Sequence, residues 1–367
     1  MPNTVDANAP TALLHPFHIH VDPMRRLLLI NLERDPDAVY QGFEPQAFDD
    51  DVHGRGVIVI GWRQDGRVDV FHPPTVRLDP ATYAITGDGL HLMLERPLED
   101  ARFEIGPHGV DAEVRFEDAE GRSVELRIVE RSRRVAPRIA LLAPMGAAAT
   151  SPSALPLVLL RDFGFVRRSG TEARVAVDGR EHALDHLPVP IDLQWMYFVR
   201  YAEAPLIATL NPARSGSLAT IVLPDGAFVD HAGARHHLER ADGRASLASI
   251  ERVHGDQRVS VAFAPAFPNL LDLAPGAARE GRFTITSDPR IGRVAGTYAA
   301  RREGDTVSVR MVPTEGWRPL ERRWSVLLMV RVNAAFRSWP STYVWDATVD
   351  LAGDDGPSMT SAWARTG

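Results

Sequence analysis

The chain has 367 residues, with 41 basic and 48 acidic side chains, a formal net charge of -7, and neither cysteine nor lysine. Those two absences remove Schiff-base chemistry, the phosphate-loop lysine, thiol nucleophiles, disulfides, iron–sulfur ligation and cysteine-ligated zinc. Mild acidity with scattered arginines offers no basic stripe to a nucleic acid, so chemistry is left to His, Asp, Glu, Tyr, Ser, Thr and Arg.

The opening, Met1 to Pro10, lacks the positive start and apolar run of a signal peptide, and the expected location is cytoplasmic. The most apolar stretch, 139–160, is interrupted by Pro144, Pro152 and Pro156, so no transmembrane segment is expected. His15, His18 and His20 follow, and on a strand His18 and His20 would share a face as two metal ligands must, with His72 or Glu44 as a distant third. A structural or solvent-facing role competes with that reading, and the expected function includes no metal. A second group lies at Glu44, Asp49, Asp50, Asp51 and His53, before a buried strand. Glu44 and His53 could act as acid and base, or the aspartates could form a solvated turn.

From here the chain is punctuated by Asp65-Gly66, Asp88-Gly89, Asp178-Gly179, Asp225-Gly226, Asp242-Gly243 and Asp355-Gly356, with Glu120-Gly121 and Glu303-Gly304 in similar positions. A type I′ hairpin turn needs positive φ at both central residues, which Gly takes freely and Asp tolerates. Strands are predicted over 57–62, 68–71, 172–177, 219–223, 259–264, 283–286, 307–312 and 325–332. The clearest hairpin sets Val110, Ala112, Val114 and Phe116 against Val124, Leu126 and Ile128, with charges at Glu113, Arg115, Glu125 and Arg127 on the other face. Short helices are predicted only at 138–145 and 269–279. The fold class is therefore all-β: antiparallel β-barrel or β-sandwich domains, 1–211 and 212–367, divided at the loop-like Asn211-Pro212.

Between 175 and 201 the sequence offers its main candidate site. As strands, His182, Leu184 and His186 would share one face and Trp195, Tyr197 and Val199 another, with Asp185 beside the turn. His186 or Asp185 could move a proton while Trp195 or Tyr197 stabilises a developing cation. Exposed histidines and core aromatics are the alternative. In the last third, Trp317, Trp324, Trp339, Trp345 and Trp363 could form a sugar platform or a core, with period two from Trp324 to Val332 favouring packing for Trp324.

Val177-Asp178-Gly179-Arg180 and Asp185-His186, with Trp195 and Tyr197 further on, resemble the lipocalin-like carotenoid 1,2-hydratases, which share their fold with bacterial attachment-locus proteins and some fungal pericyclases. Where that family usually continues its Asp-His with an Asn-Trp-Gly type stretch, this chain has Leu187-Pro188-Val189-Pro190. The resemblance implies two lipocalin-like domains, with Asp185 and His186 as the acid–base pair and an aromatic role for Trp195 and Tyr197. The resulting expectation is a cofactor-independent hydratase, isomerase or cyclase acting on an apolar small molecule such as an isoprenoid or polyketide. Asp185, His186 and Tyr197 would be catalytic, and Trp195, Arg200, Glu44, His182 and His53 would bind ligand. A non-catalytic carrier and a carbohydrate-active sandwich using Glu44 and Asp49 are the alternatives.

Overall fold

A computed structural model describes residues 12–84, 86–135, 138–144, 152–191, 193–287, 291–320, 322–353 and 355–366. Among the described residues strand accounts for 59% and helix for 5%, so the fold is all-β, with curled sheets that include a half-barrel. Among the described residues no helix is long and apolar enough to cross a membrane.

The first ten-stranded sheet runs in the order Ile19–Pro23, Leu206–Leu210, Leu155–Arg167, Met196–Glu203, Arg26–Asn31, Tyr40–Asp50, Gly54–Arg63, Val68–His72 and Leu90–Glu95, with Ile139–Ala143 paired onto Leu155–Arg167. A five-stranded sheet holds Arg180–Glu181, Thr171–Val177, Ser123–Glu130, Gly109–Glu117 and Glu99–Gly106. The other ten-stranded sheet is almost a pure meander from Phe228–His231 to Ser358–Arg365, closed at one edge by Arg214–Ser217. Hairpin turns form as their residues require: Asp178-Gly179, in the five-stranded sheet, and Asp242-Gly243, in the meander, both carry positive φ at both positions. The hairpin 110–128 forms, with Phe116 opposite Val124 and Val114 opposite Leu126.

Period-two alternation decides what each face of the first sheet does. On Arg26–Asn31, Leu28 and Ile30 join Phe43, Val59 and Val199 in a core shared with Phe103, Val114, Leu126 and Val175 of the five-stranded sheet. Leu27 turns the other way, into a core that also holds Ile60 and Leu160 and continues through Phe263, Phe283, Tyr298 and Trp345 of the meander.

Three local expectations are corrected. Ile139–Ala143 is a strand, and the segment from 269 forms only the 3₁₀ turn Leu270–Asp272 before strand Ala278–Thr286 begins. The segment predicted as a strand over 325–332 is the helix Trp324–Val332. Its flanking strands, Thr306–Pro313 and Tyr343–Asp350, pair directly with each other and leave no ladder position for it, while Leu, Met and Arg favour the helix. Trp324 is exposed rather than packed.

Candidate functional site

One face of the first sheet borders a cavity of about 490 Å³. The residues that reach it recur at every second position: Leu27 and Leu29, Glu44 and Gln46, Ile60 and Trp62, Val158 and Leu160, Met196, Phe198 and Arg200. Tyr83, from the short helix Pro80–Ala84, adds a wall, and the loop 187–191 and the helices Trp324–Val332 and Ala334–Ser338 border it elsewhere. Most of this lining is apolar, so each polar group in it stands out.

The strand Tyr40–Asp50 places Glu44 and Gln46 on the cavity face, both buried. Gln46 Nε2 donates to Glu44 Oε1 at 2.8 Å, and Trp62 Nε1 donates to Glu44 Oε2 at 3.0 Å. Tyr83 donates in turn to Gln46 Oε1 at 3.4 Å, which fixes the direction of the amide. Burial pushes the Glu44 carboxyl up to about 7, against the pull of the Gln46 and Trp62 donors and the more distant Arg200 cation. Glu44 is thus an anchored acid that exchanges its proton near neutrality, as a general acid or base requires. Arg200 lies in the same cross-strand row, opposite Leu29, with its guanidinium 4.3 Å from the centre of the Phe198 ring and a bond to Asn31 Oδ1. Burial lowers its pKa to about 10, which leaves it a cation at neutral pH. Asp22, the other carboxylate at the cavity, is 2.8 Å from His53 Nε2.

Of the residues singled out in the sequence, Glu44 and Arg200 border the cavity. His53 sits behind it, bridging Asp22 and Asp50; burial of its ring lowers the pKa, the two carboxylates outweigh that, and the net shift is upward. The group at 182–197 goes elsewhere. Asp185 is buried, and its carboxylate accepts the backbone N–H groups of Glu33 at 2.9 Å and Arg34 at 3.1 Å. His186 Nε2 receives Arg34 Nη1 at 3.3 Å, while His182 Nδ1 donates to the Asp35 carbonyl at 2.9 Å. These side chains tie the 33–35 loop to segment 182–186. Tyr197 packs against the core on the opposite face of the sheet, with the Arg168 guanidinium 5.8 Å from its ring centre, and Trp195 is 52% exposed. Segment 182–186 does not continue as a strand: His186 makes only an isolated bridge to Tyr197. Asp49 is exposed and paired with Arg25, outside the cavity lining.

His15, considered as a ligand, is buried with its ring 4.9 Å from that of His236, and burial followed by its histidine neighbours holds its pKa well down. Among the described residues no group of three or more His, Asp or Glu is arranged to hold a metal.

Gln46, Trp62 and Tyr83 were not singled out from the sequence. A signal existed for the first: Glu44 and Gln46 are polar residues at period two, interleaved with the apolar Phe43, Pro45 and Ala47, which places both on one face. Trp62 and Tyr83 come from other elements, and only the tertiary fold brings them to Glu44. No family model, no curated protein and no solved structure matches this chain.

Proposed function

We propose that this protein binds an apolar small molecule in the cavity and that Glu44 transfers a proton to or from it, in a hydration, isomerisation or cyclisation that needs no redox cofactor. The observation that carries the reading is a buried carboxyl group titrating near 7 inside an apolar cavity, with each oxygen held by one neutral donor. Each oxygen keeps a second lone-pair direction for a substrate proton. Protonated Glu44 donates to a carbon–carbon double bond or a leaving hydroxyl. In this reading the Trp62 ring, which lines the cavity, stabilises the cation that follows. Arg200 orients any oxygen the ligand carries. The acid–base role expected of Asp185 and His186 passes in this proposal to Glu44, and the two curled ten-stranded sheets are read as two lipocalin-like units.

The test has two parts. Native and denaturing mass spectrometry of the purified chain identifies a retained apolar molecule, and incubation in heavy water then measures deuterium incorporation into it. The expected result is incorporation by the wild type, with the rate reduced about 10²–10⁴-fold in Glu44→Gln while the ligand is still retained. Retention without incorporation by either form would leave a carrier, the reading the apolar lining alone supports.

A further inference from the structure

We infer that the mouth of this cavity docks on an anionic lipid surface, from which the apolar ligand enters. The helix Trp324–Val332 turns Val326 inward, where it lines the cavity and is buried, and leaves Trp324, Leu327, Leu328 and Val332 exposed. Across the same cavity, the loop 187–191 contributes Pro188 and Val189 to the lining, while Val189 remains 62% exposed and the adjoining Leu193 is 96% exposed. Two separate segments that border one opening therefore both present large apolar side chains outward. A helix that is apolar inward and exposes large apolar side chains outward has the character of an interfacial anchor, and an exposed Trp suits the headgroup level.

Charge selects the partner. Residues 315–337 carry five arginines, Arg318, Arg322, Arg323, Arg331 and Arg337, against Glu315, which pairs with Arg318, and Glu321, in a chain whose net charge is -7. The stretch that contains the exposed helix is thus net positive within an acidic protein, and an anionic bilayer attracts it where a neutral one does not. Insertion of Leu327, Leu328 and Leu193 would open a dry path between the lipid and the cavity. This inference is separate from proton transfer at Glu44, because vesicle binding is measured without turnover.

The experiment is co-sedimentation of the full chain with vesicles of phosphatidylcholine alone or with about one-third phosphatidylglycerol. Binding to the anionic vesicles is expected to be at least about tenfold tighter, to weaken with salt, and to fall about tenfold or more in Leu327→Glu/Leu328→Glu and, independently, in Leu193→Glu. Circular dichroism and the melting curve of both variants should match the wild type, since all three side chains are exposed. No binding to anionic vesicles, equal binding to both compositions, or binding unchanged in both variants would each overturn the inference. So would sedimentation equilibrium showing a dimer that both variants dissolve, which would assign the patch to a second copy of the chain.

Discussion

Glu44 and Glu130 are both buried carboxylates beside the first ten-stranded sheet, and they are held in opposite ways. Glu130 Oε1 accepts Arg167 Nε at 2.9 Å and the Arg167 backbone N–H at 3.1 Å, while Oε2 accepts the Val110 N–H at 3.0 Å. Arg167 Nη1 and Nη2 donate to the carbonyls of Arg134 and His108. Even the space is committed: Gly109 has φ of +123°, and a Cβ there would lie 1.9 Å from Glu130 Oε2. Glu44 has two neutral donors, a cation only at longer range, and an open cavity in front of it. Burial is common to both. What separates a structural carboxylate from a chemically poised one is whether a cation saturates it and whether any lone pair faces unfilled space.

The largest expected effect comes from breaking the saturated member. Glu130→Ala leaves the Arg167 guanidinium buried without its counter-charge and strands the Val110 N–H, so unfolding in urea should show a loss of about 3–5 kcal/mol. The pair joins the strand Leu155–Arg167 to the last residue of the central strand of the five-stranded sheet, so the whole cooperative transition should move. A loss under about 1 kcal/mol would mean that the two glutamates differ less than their contacts imply.

The unsaturated member should reveal itself through pH. The folded-state pKa of Glu44, about 7, lies above its ordinary value of 4.5, so between those limits the folded chain keeps a proton that the unfolded chain has lost. Stability from this group is therefore greatest below about pH 4.5, declines as pH rises toward 7, and is flat above, with a total on the order of 3 kcal/mol. Glu44→Gln removes the decline. Subtracting the variant's stability profile from that of the wild type isolates this slope, and parallel profiles across the window would remove Glu44 from its poised role.

How much of this was legible in the sequence follows from the range of the interactions. Period-two alternation and Asp-Gly turns are local, and they located the hairpin 110–128 and the all-β class, because inward and outward residues differ in kind. The helix Trp324–Val332 was lost because an apolar run of that length suits either structure, and pairing between distant strands decided it. At the candidate site Arg200 could be singled out as a charge within a strand-like segment, and Glu44 as a carboxylate in an acidic group before a buried strand. Their neighbours in space, Trp62 and Tyr83, follow only from the register of Tyr40–Asp50 against Gly54–Arg63 and the seating of one short helix. Segment 182–186 shows the opposite case: His and Asp crowded in sequence invite a catalytic reading, and in the fold they hydrogen-bond an adjacent loop whose backbone needs acceptors and donors.

That last point yields the smallest and most discriminating prediction. In Asp185→Asn one oxygen survives to accept either the Glu33 or the Arg34 N–H, while the new amide nitrogen faces a donor it cannot satisfy. One buried bond is lost and one donor is left opposite another, so stability should fall by about 1 kcal/mol. Because Asp185 lies outside the cavity lining, deuterium incorporation into a bound ligand should stay within about twofold of the wild type, far from the 10²–10⁴-fold loss expected of Glu44→Gln. Differential unfolding and the same heavy-water assay, run on both variants, set the two carboxylates side by side. A fall of about a hundredfold in Asp185→Asn, with the melting curve preserved, would move the acid–base centre to Asp185 and His186 and leave Glu44 as a wall of the cavity.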